Sequence, residues 1–316
     1  MVSIILPTYN NGEDIGNCLD SLIHQTYRKF EIIVIDDGST DNTEKIVKEY
    51  PVKYFKIKHS GRAHAKNIGA KMALGNILAF VEADGVYPSR YIESIVPHFI
   101  RDPEVGGVST PYRVLNKTNF VTSCKDIERQ VNFSDDYKPF GASIYRRSVF
   151  EEIGGFDESL EFGEDIDPFP RLIALGYKVS FEPQALWYHK SPTSIISLLA
   201  DRFNRGKGIL KYNIKHKLPL MPYRSITLLL ILIILAFFSA LNHRFLMLML
   251  ALLIYSFVGG VRLKRIKWLR KALKITQDHA HSIGWFFIGW LDYWAYIFGT
   301  IVGFFNFYFK SLLQKP

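Results

Sequence analysis

Cysteine is scarce in this chain: Cys18 and Cys124 are the only 2 among 316 residues, far apart and in no metal-ligand spacing. That excludes a disulfide framework and a thiolate zinc site, and leaves two free buried thiols as the expectation. Acidic residues are also in deficit, 30 Asp and Glu against 39 Lys and Arg, for a formal charge of +9. Such an excess fits nucleic acid, anionic lipid or a phosphorylated substrate, and its placement decides among them. It gathers in Arg202–Arg224 and Arg262–Lys274, on both sides of apolar runs. That is the pattern of a membrane surface, so no nucleic-acid partner is expected. No cleavable leader is expected either, because Val2–Pro7 reads directly as a strand. The N-terminal part is therefore expected in the cytoplasm.

What is present begins with alternation. Val2–Leu6, Glu31–Ile35, Val52–Ile57 and Ile77–Val81 are β-rich runs. Between them, Ile15–Gln25, Asn42–Tyr50 and Ala63–Leu74 carry apolar residues at helical spacing. This order predicts an α/β fold, a mostly parallel sheet flanked by helices, with ligands at the carboxyl ends of the strands. From about 111 to 190 the pattern turns irregular and rich in Gly, Pro and aromatic residues, which suits an acceptor-binding half. The spacing thus predicts a cytoplasmic domain over 1–220, with 1–110 for a nucleotide and 111–220 for an acceptor.

The tail changes solvent. Ile226–Leu241 and Phe245–Val261 are apolar runs separated by Asn242, His243 and Arg244, and predict two transmembrane helices over 223–261. Over 262–280, Leu263, Ile266, Leu269 and Leu273 recur opposite Arg and Lys, which predicts a basic amphipathic helix in the headgroup layer. Ile283–Phe309 is aromatic and interrupted by Asp292. It reads as a further span, or as a hairpin broken near Asp292–Tyr293. The basic segments orient the whole as a multi-pass protein of the cell membrane, with the catalytic domain on the cytoplasmic side.

Three acidic clusters carry the chemistry. Asp36–Asp37–Gly38–Ser39 closes the second strand. A carboxylate there can accept an N–H of uracil or guanine, while Tyr9, in Pro7–Thr8–Tyr9–Asn10, offers a ring face for stacking. Glu82–Ala83–Asp84 follows the buried run Ile77–Val81; such a pair can hold a ribose and a divalent cation. Gly163–Glu164–Asp165 is a late acidic turn that can take a proton from an acceptor hydroxyl.

The order Pro-Thr-Tyr-Asn, Asp-Asp-Gly-Ser-Thr-Asp, Ala-Lys-Asn-Ile-Gly-Ala (65–70), Glu-Ala-Asp, Gly-Gly-Phe-Asp-Glu and Gly-Glu-Asp resembles the family 2 glycosyltransferases over residues 1 to 210. The resemblance implies an inverting, metal-dependent enzyme with the GT-A nucleotide-sugar-binding fold, using Mn²⁺ or Mg²⁺ and a UDP- or GDP-linked sugar. It implies that Pro7, Tyr9, Asp37, Lys66, Glu82 and Ala83 line the nucleotide. Asp84 would hold the metal, with Glu82 in the place of the usual first aspartate and His189 as a third ligand. Asp165, with Glu164 beside it, matches the proposed catalytic base. Arg202 and Arg205 resemble a late basic segment that closes over the diphosphate.

An acceptor hydroxyl needs a base, whereas a lipid phosphate is already ionised. The Gly-Glu-Asp turn therefore points to a lipid-linked glycan or glycolipid acceptor, with membrane lipids around it. Transfer onto polyprenyl or dolichyl phosphate is the nearest alternative. A processive polysaccharide synthase would carry Gln-x-x-Arg-Trp where this chain reads Asp201–Arg202–Phe203–Asn204–Arg205. A non-catalytic membrane adaptor is at odds with intact Asp37, Asp84 and Asp165. A nucleotidyltransferase would need a glycine-rich loop bearing Arg and Lys where Asn10–Asn11–Gly12–Glu13 stands.

Overall fold

The computed structural model describes residues 1–134, 137–139, 141–219, 263–276 and 278–313. The two spans expected over 223–261 lie outside the described residues. The chain forms two units, Met1–Lys117 with Asn132–Ser191, and Thr118–Val131 with Pro192–Pro316.

The first unit is built on a seven-stranded sheet in the order β3-β2-β1-β4-β8-β6-β9. Its strands are β1 (Val2–Thr8), β2 (Phe30–Asp36), β3 (Lys53–Lys56), β4 (Ile77–Phe80), β6 (Val105–Ser109), β8 (Ile144–Arg146) and β9 (Lys178–Phe181). The first four are parallel, as the alternation predicts, and β8 runs antiparallel to both β4 and β6. β1 does not stop at Pro7: it pairs with β2 through Thr8↔Asp36, while its pairing with β4 ends at Ile5↔Phe80. A residue without an N–H is tolerated where one side of the ladder has already ended.

Alternation puts Ile4, Leu6, Ile32, Val34 and Ala79 on one sheet face, with Ile15, Leu19 and Leu22 of α1 (Ile15–Ile23) and Ile92 and Ile95 of α4 (Tyr91–Arg101). Ile5, Ile33, Ile35, Leu78 and Phe80 face the other way, against α3 (Arg62–Met72) and α6 (Arg147–Glu152). α3 approaches closely because Gly69 sits over Ile5, where a Cβ would lie 2.4 Å from its Cγ2. The short α2 (Thr43–Val47) and α7 (Pro168–Ala174) complete the helices of this unit. A small second sheet, β5 (Gly85–Val86), β10 (Trp187–His189) and β7 (Tyr112–Val114), pairs His189 with Gly85 and with Val114.

The second unit consists of α5 (Phe120–Asn132, through Val131), α8 (Ile195–Gly208), α9 (Leu210–Lys215), α10 (Leu263–Thr276) and α11 (His279–Leu313). α11 is one continuous helix, so the chain does not break at Asp292. The reason is pairing. Arg202 of α8 donates to Asp292 at 2.9 Å and lies 3.7 Å from Glu128 of α5, while Lys125 ion-pairs with Glu128 and, at 3.8 Å, with Asp292. A carboxylate satisfied by two cations is compatible with an apolar helix that has polar neighbours.

α8 and α11 meet at glycines. A Cβ on Gly206 would lie 2.1 Å from the Tyr296 carbonyl oxygen, and one on Gly299 2.0 Å from that of Phe203. Gly299→Leu is therefore expected to destabilise the protein by about 1–3 kcal/mol through overpacking. A thermal melt of the purified protein reads this, and an unchanged transition would show that the helices do not meet at this face. Ala280–Phe307 is long and apolar enough to cross a membrane, with mean hydropathy 1.2, and it is the one such helix among the described residues.

Candidate active site

The carboxyl ends of β1, β2 and β4 and the start of α3 surround the candidate site, and short loops hold them in place. Asn10, in the left-handed region at φ 52°, accepts from the Thr40 amide at 2.8 Å, and its own N–H donates to Ser39 Oγ at 2.9 Å. The loops after β1 and β2 are thereby tied together. The two aspartates at the end of β2 divide the work. Asp36 is fully buried and accepts from the Ser39 amide at 2.7 Å and the Tyr54 hydroxyl at 2.6 Å. Asp37 instead accepts from the Ser60 amide at 2.8 Å and the Gly61 amide at 2.9 Å. Gly61 adopts φ 101°, which favours glycine, and delivers the chain into α3.

At the end of β4, the Glu82 amide donates to the Tyr87 hydroxyl at 2.8 Å and Ala83 is buried. The pairing of β10 with β5 sets His189 opposite Gly85. His189 Nε2 then lies 3.3 Å from Glu82 Oε2 and 3.3 Å from Asp84 Oδ2. One donor atom from each residue falls within 4.8 Å of the others, as a bound cation requires. Two carboxylates and an imidazole can hold a divalent cation and leave coordination positions for phosphate oxygens or water.

Electrostatics separates the two carboxylates. At Glu82 desolvation is outweighed by the His189 hydrogen bond and charge, followed by Arg62 and Lys66, and its pKa falls to about 2. At Asp84 desolvation, with the Glu82 charge added against the pull of His189, raises the pKa.

The acidic turn divides by exposure. Glu164 is buried, 3.4 Å from Lys66 and 3.8 Å from Arg62. Lys66 is itself buried and lies over the Phe156 ring, 5.0 Å from its centroid. Of the residues expected at the nucleotide, Lys66 is thus engaged with the acidic turn. Asn67 clips the same segment, accepting from the Phe156 amide at 3.0 Å and donating to its carbonyl at 2.9 Å and to Glu158 at 2.8 Å.

Asp165 opens to solvent at the surface. Even so, desolvation raises its pKa, as do the charges of Glu164 and Glu82, against the pull of Lys66. Arg202 and Arg205 belong to the second unit, where Arg202 meets Asp292 and Glu128, and Arg205 donates to Asp201 at 2.9 Å.

Residues 3–154 match the model of glycosyl transferase family 2. This part of the chain belongs to that family. The chain is 26% identical over 223 residues to the poly-β-1,6-N-acetyl-D-glucosamine synthase of Staphylococcus epidermidis, covering 66% of this chain and 54% of the relative. The chain thus spans about half of that synthase's length. Glycosyltransferase AglE of Haloferax volcanii is 28% identical over 230 residues, 66% of this chain and 72% of the relative. The mannosyltransferase PcManGT from Pyrobaculum calidifontis, solved with GDP-Man and Mn²⁺, superposes with a TM-score of 0.60 at 20% identity, over 96% of this chain and 87% of that one. The fold is accordingly the GT-A fold.

Two residues beside the candidate site are not singled out by the sequence pattern. Arg62 opens α3 with an exposed guanidinium. Desolvation, which lowers its pKa, is outweighed by Glu82, Glu164, Asp165 and Asp84, so the pKa rises. Its signal was a cation directly after a turn glycine at a helix start, facing the strand ends. The second is His59, whose ring stacks on Tyr9 at 4.3 Å.

Proposed function

We propose that the protein is a membrane-associated inverting glycosyltransferase. It moves a sugar from a UDP- or GDP-linked donor to a hydroxyl of a lipid-linked glycan or glycolipid. The observation that carries this reading is the meeting of Glu82, Asp84 and His189 in one donor cluster, whose Glu82 also acts electrostatically on Asp165. Tyr9 and Asp37 take the nucleobase, and Glu82, Asp84 and His189 hold a cation at the diphosphate. When bound, that cation neutralises charge developing on the leaving group. GDP-Man and Mn²⁺ in the mannosyltransferase that shares the fold agree with this donor class.

Asp165, open to solvent where Glu164 is buried, accepts the proton of the acceptor hydroxyl. The hydroxyl oxygen attacks the anomeric carbon as the bond from that carbon to the diphosphate oxygen breaks, so configuration inverts in one displacement. Arg62, fixed among carboxylates by its place at the start of α3, pairs with the departing diphosphate. Glu164, held by Lys66, keeps a second negative charge beside the base. The hydroxyl acceptor is favoured over a lipid phosphate because only a hydroxyl needs the base.

Membrane association rests on the length and apolarity of Ala280–Phe307, and on the apolar runs Ile226–Leu241 and Phe245–Val261 in the sequence. A donor screen tests the whole. One UDP- or GDP-sugar, with Mn²⁺, is expected to release nucleoside diphosphate faster when lipid extract is added, and chelation should stop it. Release that ignores both lipid and chelator would overturn the acceptor and metal assignments.

A further inference from the structure

Tyr9 and Asp37 stand at the ends of the adjacent strands β1 and β2, and the loop between β3 and α3 places an imidazole against both. The His59 imidazole lies 4.3 Å from the Tyr9 ring with the planes inclined by 25°. Its Nδ1 is 2.9 Å from Asp37 Oδ2 and 3.1 Å from the Asp37 carbonyl oxygen. Both partners are acceptors, so Nδ1 carries the hydrogen, a tautomer assigned from its surroundings. Asp37 is 4% exposed and anchored by the Ser60 and Gly61 amides, so it cannot turn away. His59 itself is 58% exposed and free to leave.

A flat ring that stacks on a tyrosine and gives an N–H to a buried carboxylate does what uracil does with N3–H, and guanine with N1–H. We propose that His59 is a built-in stand-in for the donor's nucleobase, a residue that a keto base must displace from Tyr9 and Asp37. This rests on the donor-site reading above and goes beyond it. A keto base restores both contacts that His59 gives up, the stack and the hydrogen bond to Asp37. Adenine and cytosine present a ring nitrogen lone pair to the carboxylate and restore only the stack. The histidine therefore lowers the affinity of every nucleotide whose base must displace it by one common factor, and leaves a ligand without a base untouched.

Calorimetric titration with UDP, GDP, ADP and inorganic pyrophosphate, each with Mn²⁺, tests this on the full chain. Removing a competitor raises apparent affinity by the inverse of the fraction of sites it had left open. His59→Ala is therefore expected to tighten the better of UDP and GDP by roughly threefold to tenfold and to leave pyrophosphate unchanged. ADP is expected to gain by the same factor, so the preference for that nucleotide over ADP stays level. Equal or weaker UDP and GDP binding by the variant overturns the stand-in and makes His59 neutral or a clamp. An equal gain for pyrophosphate overturns it as well, since the effect would then be one of charge. If neither protein binds UDP or GDP, the donor-site reading fails and takes this inference with it.

Discussion

Asp165→Asn is expected to lower the rate of sugar transfer by about 10²–10⁴-fold, the usual contribution of a positioned general base. Asparagine has the same shape but cannot take the proton. Nucleotide affinity should stay within about threefold, because Tyr9, Asp37 and the donor cluster are untouched. Steady-state turnover with titration of UDP and GDP separates the two effects, and retained turnover would remove the base assignment.

The sign of the pH effect follows from the raised pKa of Asp165, caused by desolvation and then by Glu164. A base works when deprotonated, so activity should fall as pH drops through a value above the ordinary carboxylate range of about 4. Glu164→Gln removes a like charge and should move that acidic limb to lower pH. Stability runs the opposite way to activity. A carboxyl with a folded pKa above its unfolded value binds its proton more tightly when folded, so stability is lost as pH rises through that window. Asp165→Asn is therefore expected to melt a few degrees higher at neutral pH.

Asp84→Ala carries the second large effect. It takes one donor from the Glu82, Asp84 and His189 cluster. Even outer-shell partners of a metal cost about 10–100-fold in affinity when removed, and a direct ligand costs at least that. Mn²⁺-dependent UDP or GDP binding should therefore weaken by about 10²-fold or more, while binding measured with chelator present stays level. Nucleotide affinity in Mn²⁺ that survives the substitution would remove the metal role. Because desolvation and Glu82 raise the Asp84 pKa, a proton competes with the cation, and wild-type Mn²⁺ affinity should rise with pH.

Local pattern made part of this legible. Alternating buried strands and helices with small residues specify a parallel sheet, and turn chemistry puts Asp37 and Glu82–Asp84 at its carboxyl ends. No window of sequence predicts the register that pairs His189 with Gly85, since more than a hundred residues separate them. The same holds for Arg62 and Lys66 reaching Glu164, which depends on Gly69 letting α3 settle on Ile5. Asp292 reads as a break in an apolar segment until Arg202 and Lys125 are brought against it.

By itself, then, the sequence determined the fold class and the carboxylates that end the strands, because hydrophobic period and turn residues act over a few neighbours. Only the tertiary structure decided which other side chains meet the acidic residues: Lys66 and Arg62 against Glu164, and His59 on Tyr9 and Asp37. Such meetings depend on strand register and on the close approach of helices, which are set by packing across the whole unit and leave no local trace in the chain.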